Sequence, residues 1–203
     1  MMKILVLLIG LSFSIFAAEK TAVFAGGCFW CMQPPFDKAA GVTKTSVGYI
    51  GGSKENADYQ KVSSGKTKHI EAIKVWYDSD KTSYKKLLKI FWKQIDPTQT
   101  DGQFADRGDQ YKTVIYYSNK EEKALAEKSK KYIGSLKIFK GKKIFTPIIE
   151  GSAFYPAEEY HQKYYTKNYA HYSRYKKGSG REKYLKDYWS DVKLDFLEYL
   201  LLF

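Results

Sequence analysis

The two cysteines of the chain lie three residues apart, in the segment Gly26-Gly27-Cys28-Phe29-Trp30-Cys31. They follow a predicted strand and open a predicted helix. Because helix N-termini stabilise anions, we expect Cys28 to have a lowered pKa and to be rich in thiolate. Cys31 lies one helical turn later, where its sulfur can reach that of Cys28. The pair can be redox-active, form a structural disulfide or remain two buried thiols, but Met32 in place of His excludes haem attachment.

One carboxyl group and two phenols are candidates to act with these sulfurs. Glu71 alternates with Ile73 and Val75 on one face of a predicted strand. If that face is buried, burial raises the pKa of the carboxyl and makes it a general acid at neutral pH; on an exposed face it forms a surface salt bridge. Tyr49 and Tyr111 lie at the end and at the start of predicted strands, where each can donate a hydrogen bond to a ligand oxygen.

The remaining chemistry-bearing residues give weaker indications. Phe29 and Trp30, between the cysteines, can line an apolar pocket beside a reactive thiol or belong to the core. Two cysteines and three widely spread histidines, His69, His161 and His171, do not match the spacing of a structural zinc site. We interpret His161 as a structural histidine.

Strand and helix patterns alternate along the chain in the order β-α-β-β-α-β. Strands are predicted for residues 21–25, 42–50, 69–77 and 111–117, with a last strand at 144–149. Apolar residues at helical spacing predict an amphipathic helix over residues 84–95. Further helices are predicted for residues 28–40 (interrupted by Pro34-Pro35), 120–132, 157–165 and 185–199, and polar loops for residues 53–68 and 98–110. The order resembles an α+β split βαβ plait, ferredoxin-like, with a mixed sheet, flanking helices and a wrapped C-terminal extension.

The first 18 residues resemble a secretory signal peptide. A lysine at position 3 precedes an apolar stretch from Ile4 to Phe16, and Ala17-Ala18 offers a cleavage site. An uncleaved membrane anchor is the alternative, although the apolar run is short for a spanning helix. We therefore divide the chain into a signal peptide, residues 1–18, and a single catalytic domain, residues 19–203, without stable membrane insertion after cleavage. Export would place the protein in the periplasm, or at the cell surface or in the medium of a cell with one membrane, where disulfides persist.

Length and composition exclude several classes of protein. The chain has 203 residues, of which 44% are hydrophobic, so it can bury a core and is not disordered. Without residues 1–18 it carries 33 basic and 22 acidic residues, a net charge of +11. The basic residues are scattered among acids, so we expect a solvated surface and no nucleic-acid partner.

Six motifs along residues 21–170 resemble, in the same order, those of the methionine sulfoxide reductase A family. The first is Gly26-Gly-Cys-Phe-Trp30, the signature that follows the first strand of that family. The others are Val47-Gly-Tyr-Ile-Gly-Gly52, His69-Ile-Glu71, Phe91-Trp92 with Asp96-Pro-Thr98, Gln103-Phe-Ala-Asp-Arg-Gly-Asp-Gln-Tyr111 and Ala157-Glu-Glu-Tyr-His-Gln162.

The resemblance implies a site and a reaction. Cys28 would be the nucleophile, Glu71 the acid that protonates the sulfoxide oxygen, and Tyr49 and Tyr111 the phenols that hold it. Asp106 would help to order the site through water, and Phe29 and Trp30 would hold the substrate's S-methyl group. The family implies reduction of the S epimer of methionine sulfoxide, free or in oxidised proteins, through a Cys28 sulfenic acid, without a metal or organic cofactor.

Two features differ from the family pattern. Many members have Gly after Phe-Trp and resolve the sulfenic acid with C-terminal cysteines, whereas this chain has Cys31 there and no later cysteine. Cys31 would therefore be the resolving residue, and a thioredoxin-like dithiol would reduce the Cys28–Cys31 disulfide. Asp109 stands where the family commonly has a small hydroxyl residue.

The same cysteine pair also fits another enzyme class, a secreted thiol–disulfide oxidoreductase. Such an enzyme needs no internal carboxylic acid and normally carries a cis-proline loop near the pair, which the sequence does not indicate. Replacement of Glu71 by Gln separates the two, because it should disable sulfoxide reduction and spare disulfide exchange.

Overall fold

The computed structural model of the chain describes residues 19–192 and residue 194. Six strands form its main sheet: β1 (Glu19–Gly26), β2 (Val42–Ile50), β3 (Ile70–Asp78), β6 (Thr113–Tyr117), β7 (Ile148–Glu150) and β8 (Phe154–Pro156). Their order across the sheet is β7-β6-β1-β3-β2-β8, and all neighbours are antiparallel except β6 and β7. A separate two-stranded ribbon joins β4 (Gly102–Gln103) and β5 (Asp106–Arg107).

Seven α-helices accompany these strands in the described residues. They are α1 (Phe29–Asp37), α2 (Tyr59–Ser63), α3 (Tyr84–Trp92), α4 (Lys120–Ser135), α5 (Tyr164–Lys167), α6 (Tyr169–Gly178) and α7 (Arg181–Trp189). Three helices have an N-cap side chain that accepts a hydrogen bond from a backbone N–H of the first turn. In α2 Asp58 accepts from Lys61, in α3 Ser83 accepts from Lys86, and in α4 Asn119 accepts from Glu122.

The connection β1-α1-β2 makes the sheet a split βαβ plait. Both β1 and β2 are antiparallel to β3, which lies between them, so β1 and β2 run in the same direction. The predicted fold class is therefore confirmed. This topology also places the start of α1, at the end of β1, above the first residues of β3.

Aromatic packing fixes α1 and α3 on one face of the sheet. The ring of Phe24 on β1 lies 5.5 Å from Phe36, 5.9 Å from Tyr84 and 5.3 Å from Phe91, measured between centroids. Trp92 joins α3 to α4 because its indole N–H donates to the Ser129 hydroxyl at 2.9 Å. These contacts hold β1 and α1, which meet at Cys28, in a fixed relation.

Several predicted elements differ in extent from those observed. Pro34 and Pro35 lie inside α1, which is continuous and ends at Asp37, short of the predicted residue 40. The polar stretch 53–68, predicted as a loop, contains α2, and residues 109–111 form a 3-10 turn, so β6 begins at Thr113 rather than at 111. The last strand is β7 at 148–150 instead of 144–149.

The C-terminal third differs more. A single helix over 157–165 was expected, but a 3-10 turn (Glu159–His161) is followed by α5, since Lys163 adopts a left-handed φ of 52° between them. The predicted helix over 185–199 corresponds in part to α7, and its end lies outside the described residues. The signal peptide predicted for residues 1–18 also lies outside them. In the described part of the chain no helix is both long and apolar enough to span a membrane.

Replacement of Phe24 by Ala should lower the free energy of unfolding by about 3–5 kcal/mol, because it leaves a cavity among three stacked rings. Denaturant unfolding under reducing conditions measures this. Phe145→Ala is the matched control, since that ring is 40% exposed and its loss should cost far less. Equal losses in the two variants would contradict the assignment of Phe24 to the centre of the core.

Candidate active site

The two cysteines lie where β1 passes into α1. Cys28 is the N-cap of α1, and both sulfurs are free and buried. The Cys31 amide donates to the Cys28 carbonyl at 3.0 Å, which closes the first turn. Gly27 has a φ of +79°, and a Cβ there would lie 2.6 Å from the Gln103 side chain and 2.8 Å from the Arg181 guanidinium. The turn before Cys28 therefore requires glycine, both for its backbone conformation and for space.

Burial changes the expected ionisation of the cysteines. Desolvation raises the pKa of Cys28 well above its usual value, so the lowered pKa predicted from the helix terminus is wrong for the unliganded protein. The hydrogen bond with Cys28 lowers the pKa of Cys31. In the resting protein Cys28 is therefore a thiol that is hydrogen-bonded to Cys31.

Glu71 on β3 lies next to Cys28 and is fully buried. The amide of Phe29, the first residue of α1, donates to Glu71 Oε2 at 3.0 Å. Burial raises the pKa of Glu71 to about 8, although the hydrogen bond from Phe29 opposes this. The carboxyl is consequently protonated at neutral pH, as the strand alternation predicts for an inward face, and it can donate a proton.

A cavity of about 180 Å³ opens beside these groups. Its walls are formed by Cys28, Phe29, Trp30, Tyr59, Glu71, Asp106, Tyr111 and Tyr175. The structure thus brings together all the residues predicted for the site except Tyr49 and Cys31. Cys31 lies directly behind Cys28, to which it is hydrogen-bonded.

Tyr49 does not line the cavity. Its side chain is fully buried next to Glu71 in the sheet register, but its hydroxyl donates to Glu158 Oε2 at 2.8 Å. Tyr59, on α2, occupies the cavity wall instead, and its amide donates to the other oxygen of Glu158 at 2.9 Å. Our assignment of Tyr49 to the oxygen-binding position therefore does not fit the geometry, whereas Tyr111 does line the cavity.

The two phenols in the cavity wall remain protonated over the neutral pH range. Burial raises the pKa of Tyr59 to about 12, and burial also raises the pKa of Tyr111. Burial is the larger cause of both shifts, and Glu71 contributes to each. Each hydroxyl can therefore donate a hydrogen bond to an oxygen atom bound in the cavity.

Asp106 contacts a tyrosine that sequence reasoning missed. The Tyr175 hydroxyl on α6 lies 2.6 Å from both carboxylate oxygens of Asp106 and also within hydrogen-bonding reach of Cys28. Asp106 thus contacts a phenol directly, and its expected part in ordering the site stays a prediction. Burial raises the pKa of Asp106, while the Tyr175 hydrogen bond lowers it. The only sequence signal for Tyr175 is its place in a tyrosine-rich segment.

Aromatic side chains form the apolar side of the cavity. Phe29 is buried, and its ring lies 5.2 Å from that of His161. Trp30 is fixed by two contacts, since its indole N–H donates to His161 Nδ1 at 2.9 Å and its ring stacks on Tyr164 at 3.9 Å. Burial lowers the pKa of His161 to about 4, so the imidazole is neutral and accepts this bond. Phe29 and Trp30 therefore belong to the core and to the cavity wall at once.

Metal binding finds no support in the described residues, where no three His, Cys, Asp or Glu side chains converge on one point.

The fold and the cavity define an α+β protein with a cysteine-centred site, in which a buried thiol pair faces a protonated acid and phenols. The family model for peptide methionine sulfoxide reductase matches residues 20–193, and the chain belongs to that family. The peptide methionine sulfoxide reductase MsrA of Bacillus licheniformis is 51% identical over 174 residues, which cover 85% of this chain and 96% of the relative.

Solved structures agree with this assignment. Methionine sulfoxide reductase A of Corynebacterium diphtheriae superposes with a TM-score of 0.68 and 30% identity, covering 74% of this chain and 75% of the other. Reduced Mxr1 from Saccharomyces cerevisiae superposes with a TM-score of 0.69 and 29% sequence identity. The match covers 74% of this chain and 86% of Mxr1. Mxr1 has also been solved in complex with Trx2. In that structure Mxr1 shares the fold of this chain, with a TM-score of 0.50 and 22% sequence identity, and the match covers 72% of this chain and 84% of Mxr1.

The raised pKa of Glu71 predicts a pH-dependent stability. Since the folded protein holds this proton up to about pH 8 and the unfolded chain loses it near 4.5, the free energy of unfolding should fall as pH rises between those values. Glu71→Gln cannot lose a proton, so its stability relative to the original protein should increase over this window. Urea unfolding from pH 5 to 8 under reducing conditions measures the difference.

Glu121→Gln, a change of an exposed carboxyl on α4, is the matched control and should follow the original protein. A constant difference between Glu71→Gln and the original protein across this range would show that the Glu71 carboxyl is not held protonated.

Proposed function

We propose that this member of the peptide methionine sulfoxide reductase family reduces methionine-S-sulfoxide to methionine, free or in oxidised proteins, with Cys28 as the nucleophile. The observation that carries the proposal is the cavity in which the Cys28 thiol, the Glu71 carboxyl and the Tyr59 and Tyr111 hydroxyls meet. An aromatic side and a proton-donating side suit a substrate whose sulfur bears both a methyl group and an oxygen.

The first step transfers the sulfoxide oxygen to Cys28. The sulfur of Cys28 attacks the sulfur of the substrate while Glu71 protonates the oxygen and the two phenols hold it. Methionine leaves, Cys28 becomes a sulfenic acid, and the thiol proton of Cys28 replaces the proton that Glu71 gave. Overall, a thiol and a sulfoxide give a sulfenic acid and a thioether, so atoms and electrons balance.

Specificity for one of the two epimers follows from the two-sided cavity. Phe29 and Trp30 would receive the methyl group, and the oxygen would face Glu71, Tyr59 and Tyr111. With the methyl group and the oxygen fixed and the rest of the substrate directed to solvent, only one configuration at the substrate sulfur leaves that atom open to attack by Cys28. The resemblance of the sequence to its family implies the S epimer.

The second step forms the Cys28–Cys31 disulfide. Cys31 attacks the sulfur of the Cys28 sulfenic acid, the oxygen leaves as water with the proton of Cys31, and the reductase is oxidised. A thioredoxin-like dithiol protein would then restore both thiols by exchange. The complex of yeast Mxr1 with Trx2 supports a partner of this type.

The export of the protein belongs to the same proposal. Residues 1–18 would direct the chain out of the cytoplasm, to the periplasm or cell surface, where methionine residues of envelope proteins are the substrates. The reductant must then act in the same compartment. The alternative class, a general thiol–disulfide oxidoreductase, is not supported, since the family assignment and a buried protonated acid beside the thiol both favour sulfoxide reduction.

The decisive experiment measures turnover of the protein without residues 1–18 on each epimer of a blocked methionine sulfoxide, with dithiothreitol as reductant. We expect reduction of the S epimer only, and complete loss in Cys28→Ser. Cys31→Ser should still release one methionine per enzyme, and mass analysis after one turnover without reductant should find the Cys28–Cys31 disulfide only when Cys31 is present. Failure to reduce either epimer, with reduction of insulin disulfides instead, would refute the proposal.

A second test compares the two candidate phenols. Tyr59→Phe should slow methionine formation in a single turnover by about ten- to a hundredfold, because it removes a donor to the developing oxyanion. Tyr49→Phe is the matched control and should have a smaller effect on this step, since its hydroxyl contacts Glu158 and not the cavity. The reverse order of effects would restore Tyr49 to the site.

A further inference from the structure

Arg181, the first residue of α7, carries a guanidinium group buried beneath the cysteine turn. The side chain is 1% exposed. Its Nη1 donates to the Gln94 carbonyl at 2.7 Å and approaches Met32 Sδ at 3.8 Å, and its Nη2 donates to the Gly26 carbonyl at 2.9 Å. The group also lies over the ring of Phe104, 4.6 Å from its centroid.

This buried charge forms no ion pair with a carboxylate among residues 19–192 and 194, although it lies close enough to Asp106 to lower the pKa of that carboxyl. The ion pairs of that part of the chain all involve other side chains, and Arg181 is held by carbonyls, a thioether and an aromatic ring. Burial of a cation without an ion-pair partner is unfavourable even after the surroundings relax. An anion that forms only during the reaction would recover part of that cost.

The position of Arg181 identifies which anion this is. Its contacts lie on both sides of the cysteine pair, at Gly26 before Cys28 and at Met32 directly after Cys31. Its Nη2 also limits the space at Gly27, where an added Cβ would lie 2.8 Å away. The guanidinium therefore packs against residues on either side of the cysteine pair, and it does not line the cavity proposed to receive the substrate.

We propose that Arg181 is a positioning residue that stabilises the thiolate of Cys31, both when this sulfur attacks the Cys28 sulfenic acid and when it leaves on reduction of the disulfide. The inference rests on the proposed function, in which Cys31 is the resolving cysteine. It assigns to the C-terminal segment a part in the second half of the reaction.

The electrostatics of Cys31 agree with this assignment. After the hydrogen bond with Cys28, the charge of Arg181 is the largest influence that lowers the pKa of Cys31, while burial raises it. The other ionisable groups that act on or respond to Cys31 are Asp106 on β5, Glu71 on β3, and Tyr172 and Lys176 on α6. Of these, only Lys176 is a second cation, and its effect is smaller than that of Arg181.

Both thiol steps gain from a stabilised Cys31 thiolate. In resolution, the Cys31 thiolate forms the S–S bond while the S–O bond of the sulfenic acid breaks, and the released hydroxide takes the proton that Cys31 gave up, leaving as water. In reduction, an external thiolate attacks Cys28, which lines the cavity and is the more exposed residue at 6% against 2%, so that Cys31 is the leaving group. A thiol of lower pKa leaves faster.

The test separates the two halves of the reaction in a single turnover without added reductant. Methionine is quantified by chromatography, and the disulfide by alkylation of the remaining thiols and mass analysis. Arg181→Met and Arg181→Gln remove the charge, and the Gln variant keeps a neutral side chain with N–H donors. Arg181→Lys keeps the charge, and Arg174→Met is the matched control because Arg174 is exposed on α6.

We expect the rate of methionine formation in the two neutral variants to remain within about twofold of that of the original protein. Disulfide formation at pH 7 should slow by about threefold for each unit by which the pKa of Cys31 rises. The reason is that a tenfold loss of thiolate is partly offset by the greater nucleophilicity of a thiolate with a higher pKa. The deficit should vanish at high pH, Lys should restore most of the rate, and Arg174→Met should behave as the original protein. Equal slowing of both steps, or a deficit independent of pH, would overturn the proposal.

A second measurement uses no sulfoxide. Equilibration with dithiothreitol redox buffers gives the reduction potential of the Cys28–Cys31 disulfide, which should become more negative in Arg181→Met and Arg181→Gln, because the reduced thiolate form is less stable. An unchanged potential would overturn the proposal. If the original protein released no methionine, the proposed function would fail, and the potential would still decide the role of Arg181.

Discussion

The hydrogen bond from the Phe29 amide to the Glu71 carboxyl joins the first turn of α1 to the third strand. It places an acid beside the N-cap cysteine, and it is possible only because β3 lies next to β1 in the split βαβ plait. The amide favours a negative charge on this carboxyl, but burial outweighs it, and the pKa rises to about 8. The site depends on this balance, since an ionised Glu71 could not protonate an oxygen.

Much of the fold and part of the site follow from local patterns. Alternation over β3 correctly put Glu71 on one face with Ile73 and Val75, a face that the structure shows to be buried, and the passage from a strand to a helix at Cys28 was also predicted correctly. These features depend on residues close together in the chain, where period and turn chemistry are informative.

The errors arose from contacts between distant segments. Tyr49 lies beside Glu71 in the sheet, yet its hydroxyl donates a hydrogen bond to Glu158, 109 residues further on. The same glutamate holds Tyr59 through its amide, across 99 residues, and brings α2 from an apparent loop to the cavity. The pKa of Cys28 was misjudged for a related reason, because the helix terminus is visible in the sequence and the burial of the thiol is not.

Tyr175 on α6 lines the cavity and Arg181 on α7 supports the cysteine turn, and this late support has a consequence for the synthesis of the protein. Arg181 contacts Met32 across 149 residues and Gly26 across 155, so the cysteine turn acquires its support only when nearly the whole chain is available. Until then the nascent chain presents two unprotected thiols, side by side, to any oxidant in its surroundings. Non-local contacts of this span also slow folding. The cysteine pair can thus be oxidised before folding is complete, because the segment that supports it comes last in the chain. A strong reductant in the same compartment would reverse this oxidation.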